Sequence, residues 1–242
     1  MIETAMMDVK DICVFGDSIG KGVVLHPITY RYEIIKTNIE QFFGINRKLH
    51  IQNYSMFGCT VTKALSLIKR RAAELKNYQY VFLELGGNDC DFAWREIAEE
   101  PDNEHLPKTP LPSFRAQYQQ VVNEIRSNGS SPVILTLPPL EPNRFFSWVS
   151  RGLSGDNILK WLGDVTMIYR WQEMYNLEVM KLATTMDVPI IDIRSAFLTK
   201  NHYQDLICID GIHPNSAGYD LIYQTISAHY PDVAQTILTE RE

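Results

Sequence analysis

The chain has 242 residues, 45% apolar and 21% charged, with 23 Lys and Arg against 29 Asp and Glu for a net charge of −6. At roughly 150 residues per domain this length suits one large domain or two small ones, and the ordinary composition excludes disordered, collagen-like and low-complexity chains. The acidic balance argues against a general nucleic-acid or anionic-membrane surface, and no stretch approaches the ~18 uncharged apolar residues of a membrane span.

The first residues, Met1 to Asp8, carry Glu3 and Asp8 where a secretory signal needs a basic region and then an apolar run, which predicts a cytoplasmic chain. Five runs of β-branched and aromatic residues follow, bounded by Gly, Pro or Asn: Ile12 to Phe15, His50 to Tyr54, Tyr80 to Leu85, Pro132 to Leu137 and Val188 to Ile193. Most are continuously apolar rather than alternating, as strands of a parallel sheet covered on both faces are. Between and after them lie helical periods: Ile35, Ile39, Phe42 and Phe43; Val61, Leu65, Ile68, Ala72 and Leu75; Phe114, Tyr118, Val121, Val122 and Ile125; Ile168, Trp171, Tyr175, Val179 and Leu182; Leu221, Ile222 and Ile226. Strand alternating with helix predicts an α/β fold, a three-layer α/β/α sandwich around a five-stranded, mainly parallel sheet, with its ligand site outside the carboxyl ends of the strands.

Two connections exceed what such crossovers need, about 91–112 and 138–163. The first is acidic and proline-bearing; the second holds Phe145, Phe146, Trp148 and Trp161. Both are expected to be loops at the rim of a site. The four aromatic residues suit either an acyl or sugar platform or a satellite core beneath the loop.

The four cysteines, Cys13, Cys59, Cys90 and Cys208, are widely spaced and form neither Cys-x-x-Cys nor zinc-type Cys/His patterns, so reduced thiols, no metal and no cofactor are expected. The segment Gly16-Asp17-Ser18-Ile19-Gly20-Lys21-Gly22, just after the first strand, admits three readings. A phosphate-binding loop needs four residues between its glycines and a Ser or Thr after the Lys; this segment has three, then Gly22. Gly16-x-Ser18-x-Gly20 also fits the strained strand-to-helix elbow of α/β-hydrolases, but that fold places several strands ahead of its nucleophile. The third reading joins Ser18 to Asp210-Gly211-Ile212-His213-Pro214: an acid three residues before a histidine can orient the imidazole while its other nitrogen faces a hydroxyl, making Ser18, His213 and Asp210 a triad.

With these two segments, the chain resembles the SGNH, or GDSL-type, hydrolase family in four blocks and in the family's order. They are Gly16-Asp17-Ser18-Ile19, with Ile for the usual Leu; Gly58 after the second strand; Gly86-Gly87-Asn88-Asp89; and Asp210-x-x-His213-Pro214. The resemblance implies a flavodoxin-like sheet and an oxyanion hole made by the Ser18 and Gly58 backbone N–H groups and the Asn88 amide. Asp17 and Asp89 are assigned supporting roles as caps or turn residues.

The expectation is therefore a metal-independent serine hydrolase of small-acyl carboxylic esters, acting through an acyl-enzyme on a small-molecule ester partner. Alternatives are a thioesterase or carbohydrate acetylesterase, or a non-catalytic ligand-binding module on the same fold. An aromatic lid over the site implies preference for short acyl chains. A triad joining residues 18 and 213 requires most of 1–242 to fold as one domain.

Overall fold

Strands that are apolar along their whole length must be covered on both faces, and the intervening helices supply that cover. The structure, a computed structural model, describes residues 12–47 and 50–239. In chain order its elements are β1 (Ile12–Gly16), β2 (Val23–Leu25), β3 (Tyr32–Ile34), α1 (Ile39–Arg47), β4 (Ile51–Asn53), α2 (Val61–Arg70), α3 (Ala72–Leu75), β5 (Tyr80–Glu84), α4 (Trp94–Glu99), α5 (Leu111–Ser127), β6 (Ser131–Leu135), α6 (Pro142–Val149), α7 (Gly155–Leu162), α8 (Met167–Thr185), β7 (Ile190–Ile191), α9 (Ile193–Leu198) and α10 (Ser216–Thr239).

The main sheet has five strands in the order β4-β1-β5-β6-β7, and every neighbouring pair is parallel. Numbered among themselves these strands run 2-1-3-4-5, the flavodoxin-like order. The order reverses between β1 and β5, so the loops leaving those two strands diverge from a crevice at the carboxyl edge of the sheet.

Alternation along the strands builds two cores. Cys13, Phe15, Val81, Leu83 and Ile134 face Ile68 of α2, Val121 and Ile125 of α5, and Val179 of α8. Their neighbours Ile12, Val14, Tyr80, Phe82 and Val133 face Phe43 of α1, Phe197 of α9, and Ile222 and Ile226 of α10. Each large side chain so buried contributes about 1.5–3 kcal/mol. The expected three-layer sandwich is present, with a sheet parallel throughout.

Several boundaries differ from the sequence expectation for local reasons. The last strand is only Ile190–Ile191, because the Asp192 side chain accepts the Ser195 N–H (3.0 Å) and starts α9, which takes Ile193 into a helix. Ile35 precedes its expected helix, which starts at Ile39. The hairpin β2–β3 was not anticipated; its second strand is fully exposed, so no burial pattern marks it. The two long connections are not loops but carry helices α4, α6 and α7. Polar caps delimit the last two: the Glu141 carboxylate accepts the Asn143 and Arg144 N–H groups at the start of α6, and Ser154 accepts the Asn157 N–H at the start of α7.

These helices form a cap with its own apolar core, in which Ile97 and Ala98 meet Ile158, Leu162, Phe145 and Phe92. The Met1 to Asp8 stretch that motivates a cytoplasmic assignment lies outside the described residues. Among the described residues, no helix is long and apolar enough to cross a membrane.

Candidate active site

The chain leaves β1 through a turn that its neighbours brace at several backbone groups. Gly16 pairs with Glu84 at the ends of β1 and β5. The Glu84 Oε2 accepts the Asp17 N–H (3.4 Å) and the Gly20 N–H (3.2 Å), while Asn53 Nδ2 donates to the Gly20 carbonyl (2.9 Å). Asp17 Oδ1 accepts the Ile19 N–H at 2.7 Å. Ser18 sits at the apex, 7% exposed.

The second contribution comes from the turn before α10. Asp210 Oδ1 accepts the N–H groups of Ile212 and His213, both at 3.2 Å, and the Cys208 N–H donates to the His213 carbonyl at 2.7 Å. The ring is thereby fixed between two partners: Nδ1 lies 2.6 Å from Asp210 Oδ2, and Nε2 lies 2.9 Å from Ser18 Oγ, 195 residues away in sequence. With Asp210 wholly buried beside Nδ1, the hydrogen belongs on Nδ1 and the lone pair of Nε2 faces the serine. The structure thus brings together the three residues expected to act as a triad.

Asn88, in the loop after β5, donates through Nδ2 to Asp17 Oδ2 at 2.7 Å, which leaves its second amide hydrogen uncommitted. Among the described residues no acceptor engages the Ser18 or the Gly58 N–H. Gly58 has φ +65°, a left-handed conformation that side chains rarely adopt, and a Cβ there would meet nothing within 4 Å. Both oxygens of Asp89 accept the Val61 N–H (3.0 and 3.1 Å), so that residue caps α2, as expected.

A cavity of about 300 Å³ opens beside Ser18, Asn88 and His213. It runs beneath the cap, and its walls are mainly apolar, including Phe92, Trp94, Leu140, Leu162, Ile168 and Trp171. Of the four aromatic residues singled out from sequence, Phe145 and Trp161 line it. Phe146 and Trp148 do not: Phe146 packs against the cap core, and Trp148 stacks on Tyr30 outside. Gly58 is not in the cavity wall either, but its neighbour Phe57 stacks on the His213 ring with centroids 6.2 Å apart. Cys90 lines the cavity, but burial pushes its thiol well up; burial pushes Cys59 up to about 12, so neither is a ready thiolate. Among the described residues no cluster of side chains suits a metal ion.

Beneath the turn lie two carboxyl groups, each 2% exposed. Burial raises both, and the charge of Asp17 raises Glu84 further. Hydrogen bonds from Glu84, the Ile19 N–H and Asn88 favour the charged form of Asp17, so the proton of the pair resides on Glu84. Sequence reading missed Glu84, although a charged residue inside the apolar run Tyr80 to Leu85 was an available signal. It also missed Tyr32, whose ring lies 5.1 Å from that of His213, because nothing in the sequence places β3 there.

A family model for GDSL-like lipases and acylhydrolases matches residues 14–221. No curated protein sequence matches the chain. Among solved structures, a lipase/acylhydrolase from Enterococcus faecalis is 18% identical with a TM-score of 0.63, over 90% of this chain and 93% of that one. A hydrolase from the metagenome of Lake Arreo, Spain, is also 18% identical with a TM-score of 0.64, over 93% and 96%. A mutant acetyl-xylooligosaccharide esterase from Geobacillus is 18% identical with a TM-score of 0.60, over 90% and 92%. At these identities the structural likeness establishes the fold.

Two predictions arise from this geometry. Because the folded-state pKa of Glu84 is raised, its stabilising effect is complete below the ordinary carboxylate range and is lost as pH rises through the shifted value. Chemical denaturation from pH 5 to 9 is therefore expected to show a steeper loss of stability in the native chain than in Glu84→Gln; parallel profiles would refute the assignment. Asp89, pushed up to about 6 by burial, adds a loss of the same sign that both chains share. Secondly, Gly211 has φ +78°, and a Cβ there would lie 2.6 Å from the Glu141 carbonyl oxygen and closer still to the Phe145 nitrogen. Gly211→Ala should therefore push the cap away from the His213 turn and lower the thermal midpoint by several degrees; an unchanged midpoint would contradict the contact.

Proposed function

Because the chain belongs to the GDSL-like lipase/acylhydrolase family, we propose that it is a serine hydrolase cleaving carboxylic esters of small acyl groups through an acyl-enzyme on Ser18. The observation that carries this reading is the hydrogen-bonded series Asp210–His213–Ser18 at the mouth of an apolar cavity.

In the first half-reaction Ser18 Oγ bonds to the ester carbonyl carbon as its proton passes to His213 Nε2, and the carbonyl oxygen takes the negative charge. The Ser18 and Gly58 N–H groups and the free Asn88 amide hydrogen receive that oxyanion. Each such donor is worth roughly 3–4 kcal/mol of transition-state stabilisation. Collapse breaks the bond to the alcohol oxygen, which takes the proton back from Nε2. Water then repeats the sequence on the acyl-enzyme, releasing the acid and restoring Ser18. Asp210 remains ionised throughout, holding the imidazole and stabilising its cation. No step calls for a metal or cofactor. The 195-residue separation between Ser18 and His213 supports folding of 1–242 as one unit.

Intact-mass measurement after treatment with a fluorophosphonate probe tests the nucleophile. A single adduct is expected on the native chain and none on Ser18→Ala; an unlabelled native chain, or an adduct that persists in the variant, would favour a ligand-binding module instead. In the unlabelled enzyme, His213→Ala should lose roughly 10⁶-fold in kcat, while Asp210→Ala keeps about 10- to 100-fold more activity than that, because it orients rather than transfers the proton.

The cavity sits at the small end of ligand sites, about 300 Å³. Each methylene it encloses contributes about 0.8 kcal/mol, roughly fourfold in kcat/KM. Across an acyl series on one alcohol, the rate should peak at butyryl or hexanoyl and fall beyond; faster turnover of octanoyl or palmitoyl esters would overturn the size limit.

A further inference from the structure

An ester brings two halves to one carbonyl, and the structure offers His213 two different surroundings. On one side lies the mainly apolar cavity under the cap. On the other, aromatic rings extend outward from the imidazole: Tyr32 at 5.1 Å and Phe57 at 6.2 Å between centroids, then Trp148 at 6.2 Å from Tyr32, then Tyr30 at 6.3 Å from Trp148. The Arg151 guanidinium lies over the outer ring of Trp148. None of these residues lines the cavity. Tyr30 and Phe57 are each 56% exposed and Tyr32 39%, an unusual concentration of uncovered aromatic surface beside a buried reaction centre.

Resting on the ester-hydrolase reading of Ser18, we infer that this shelf is the subsite for the alcohol half of the ester and selects alcohols that present a flat ring face. The order of events supports the assignment. The alcohol is the group that His213 Nε2 protonates, so it must stand beside the imidazole. It also leaves while the acyl group is still bonded to Ser18, so it needs the side open to solvent. The apolar cavity then falls to the acyl half. The exposed rings of Tyr30, Tyr32 and Phe57 offer rigid stacking faces at low entropic cost, and Trp148, held between Tyr30 and the Arg151 guanidinium, backs them. Linear aliphatic alcohols gain little from such a surface. A pyranose ring and an aryl ring share the required flat face.

The test uses acetate esters of alcohols of similar basicity: benzyl acetate, a 6-O-acetyl methyl glucopyranoside, hexyl acetate and ethyl acetate. On the native chain, kcat/KM for at least one ring ester should exceed that for hexyl acetate by tenfold or more. Which of the two is faster identifies the aryl or the sugar source. In Trp148→Ala and Tyr30→Ala, neither of which is in ring contact with His213, the ratio of ring ester to ethyl acetate should fall at least fivefold, mainly through KM. Equal rates on ring and hexyl esters, or a ratio that both substitutions leave unchanged, would overturn the shelf while fluorophosphonate labelling of Ser18 still stands. Absence of that labelling would instead remove the hydrolase reading on which the shelf depends.

Discussion

At the carboxyl ends of β1 and β5, a protonated carboxyl takes the place of backbone pairing. Gly16 is the last residue of β1 and lies opposite Glu84, after which the chain must turn sharply to expose Ser18. A turn at this depth leaves N–H groups that water cannot reach, and unsatisfied buried groups cost about 1–3 kcal/mol each. Glu84 Oε2 accepts two of them. A second buried carboxylate, Asp17, can then stay charged because Glu84 holds the proton. That charge orients Asn88, which comes from the end of the neighbouring strand. The nucleophile turn and the Asn88 loop are thus tied together through two buried carboxyl groups, Glu84 holding the turn's N–H groups and Asp17 accepting Asn88, rather than by packing alone.

The cap depends on the same edge of the sheet at one remove. Its helix α6 begins where the Glu141 N–H donates to the Gly211 carbonyl at 2.7 Å, and the α6 backbone then fills the space that any side chain at 211 would need. Arg144, one turn later, donates to the carbonyls of Gln204 and Ile207, on the segment leading into the His213 turn. The histidine loop is therefore held from both flanks, by its own Asp210 turn and by the cap. This arrangement couples the cavity wall to the position of the imidazole without any direct contact between substrate and Gly211.

How much of this was legible in the sequence follows from which interactions are local. Continuous apolar runs marked the strands because a parallel sheet buried on both faces leaves no room for polar alternation. Four short blocks marked the site because the elbow, the φ +65° glycine and the Asp210 turn each need particular residues within a few positions of one another. The cap helices were read as loops since they bury only one short apolar face each, and their ends depend on the single side chains Glu141 and Ser154. The strand β3 carries no burial signature, and its importance lies in tertiary placement: Tyr32 meets His213 only after the fold brings residues 32 and 213 together. Glu84 was hidden by the reverse effect, a polar residue whose partners are backbone groups 64 and 67 positions earlier.

The two sides of His213 differ in a way that bears on the order of product release. In the proposed acyl-enzyme the acyl group would need no further anchor, since its bond to Ser18 fixes the reacting carbon while the apolar walls surround its chain. The departing alcohol has no such tether, and an enclosed site would hold it beside the acyl-enzyme it can attack in reverse. On the proposed shelf, an open aromatic surface would hold it by stacking beside Nε2, on a face from which it can diffuse. Water then needs the same position beside the imidazole, so turnover requires that the alcohol vacate it. The two surroundings share one helix: the cap is built on the connections after β5 and β6, and the shelf adds β3 and the β4–α2 turn to the C-terminal end of the cap's α6.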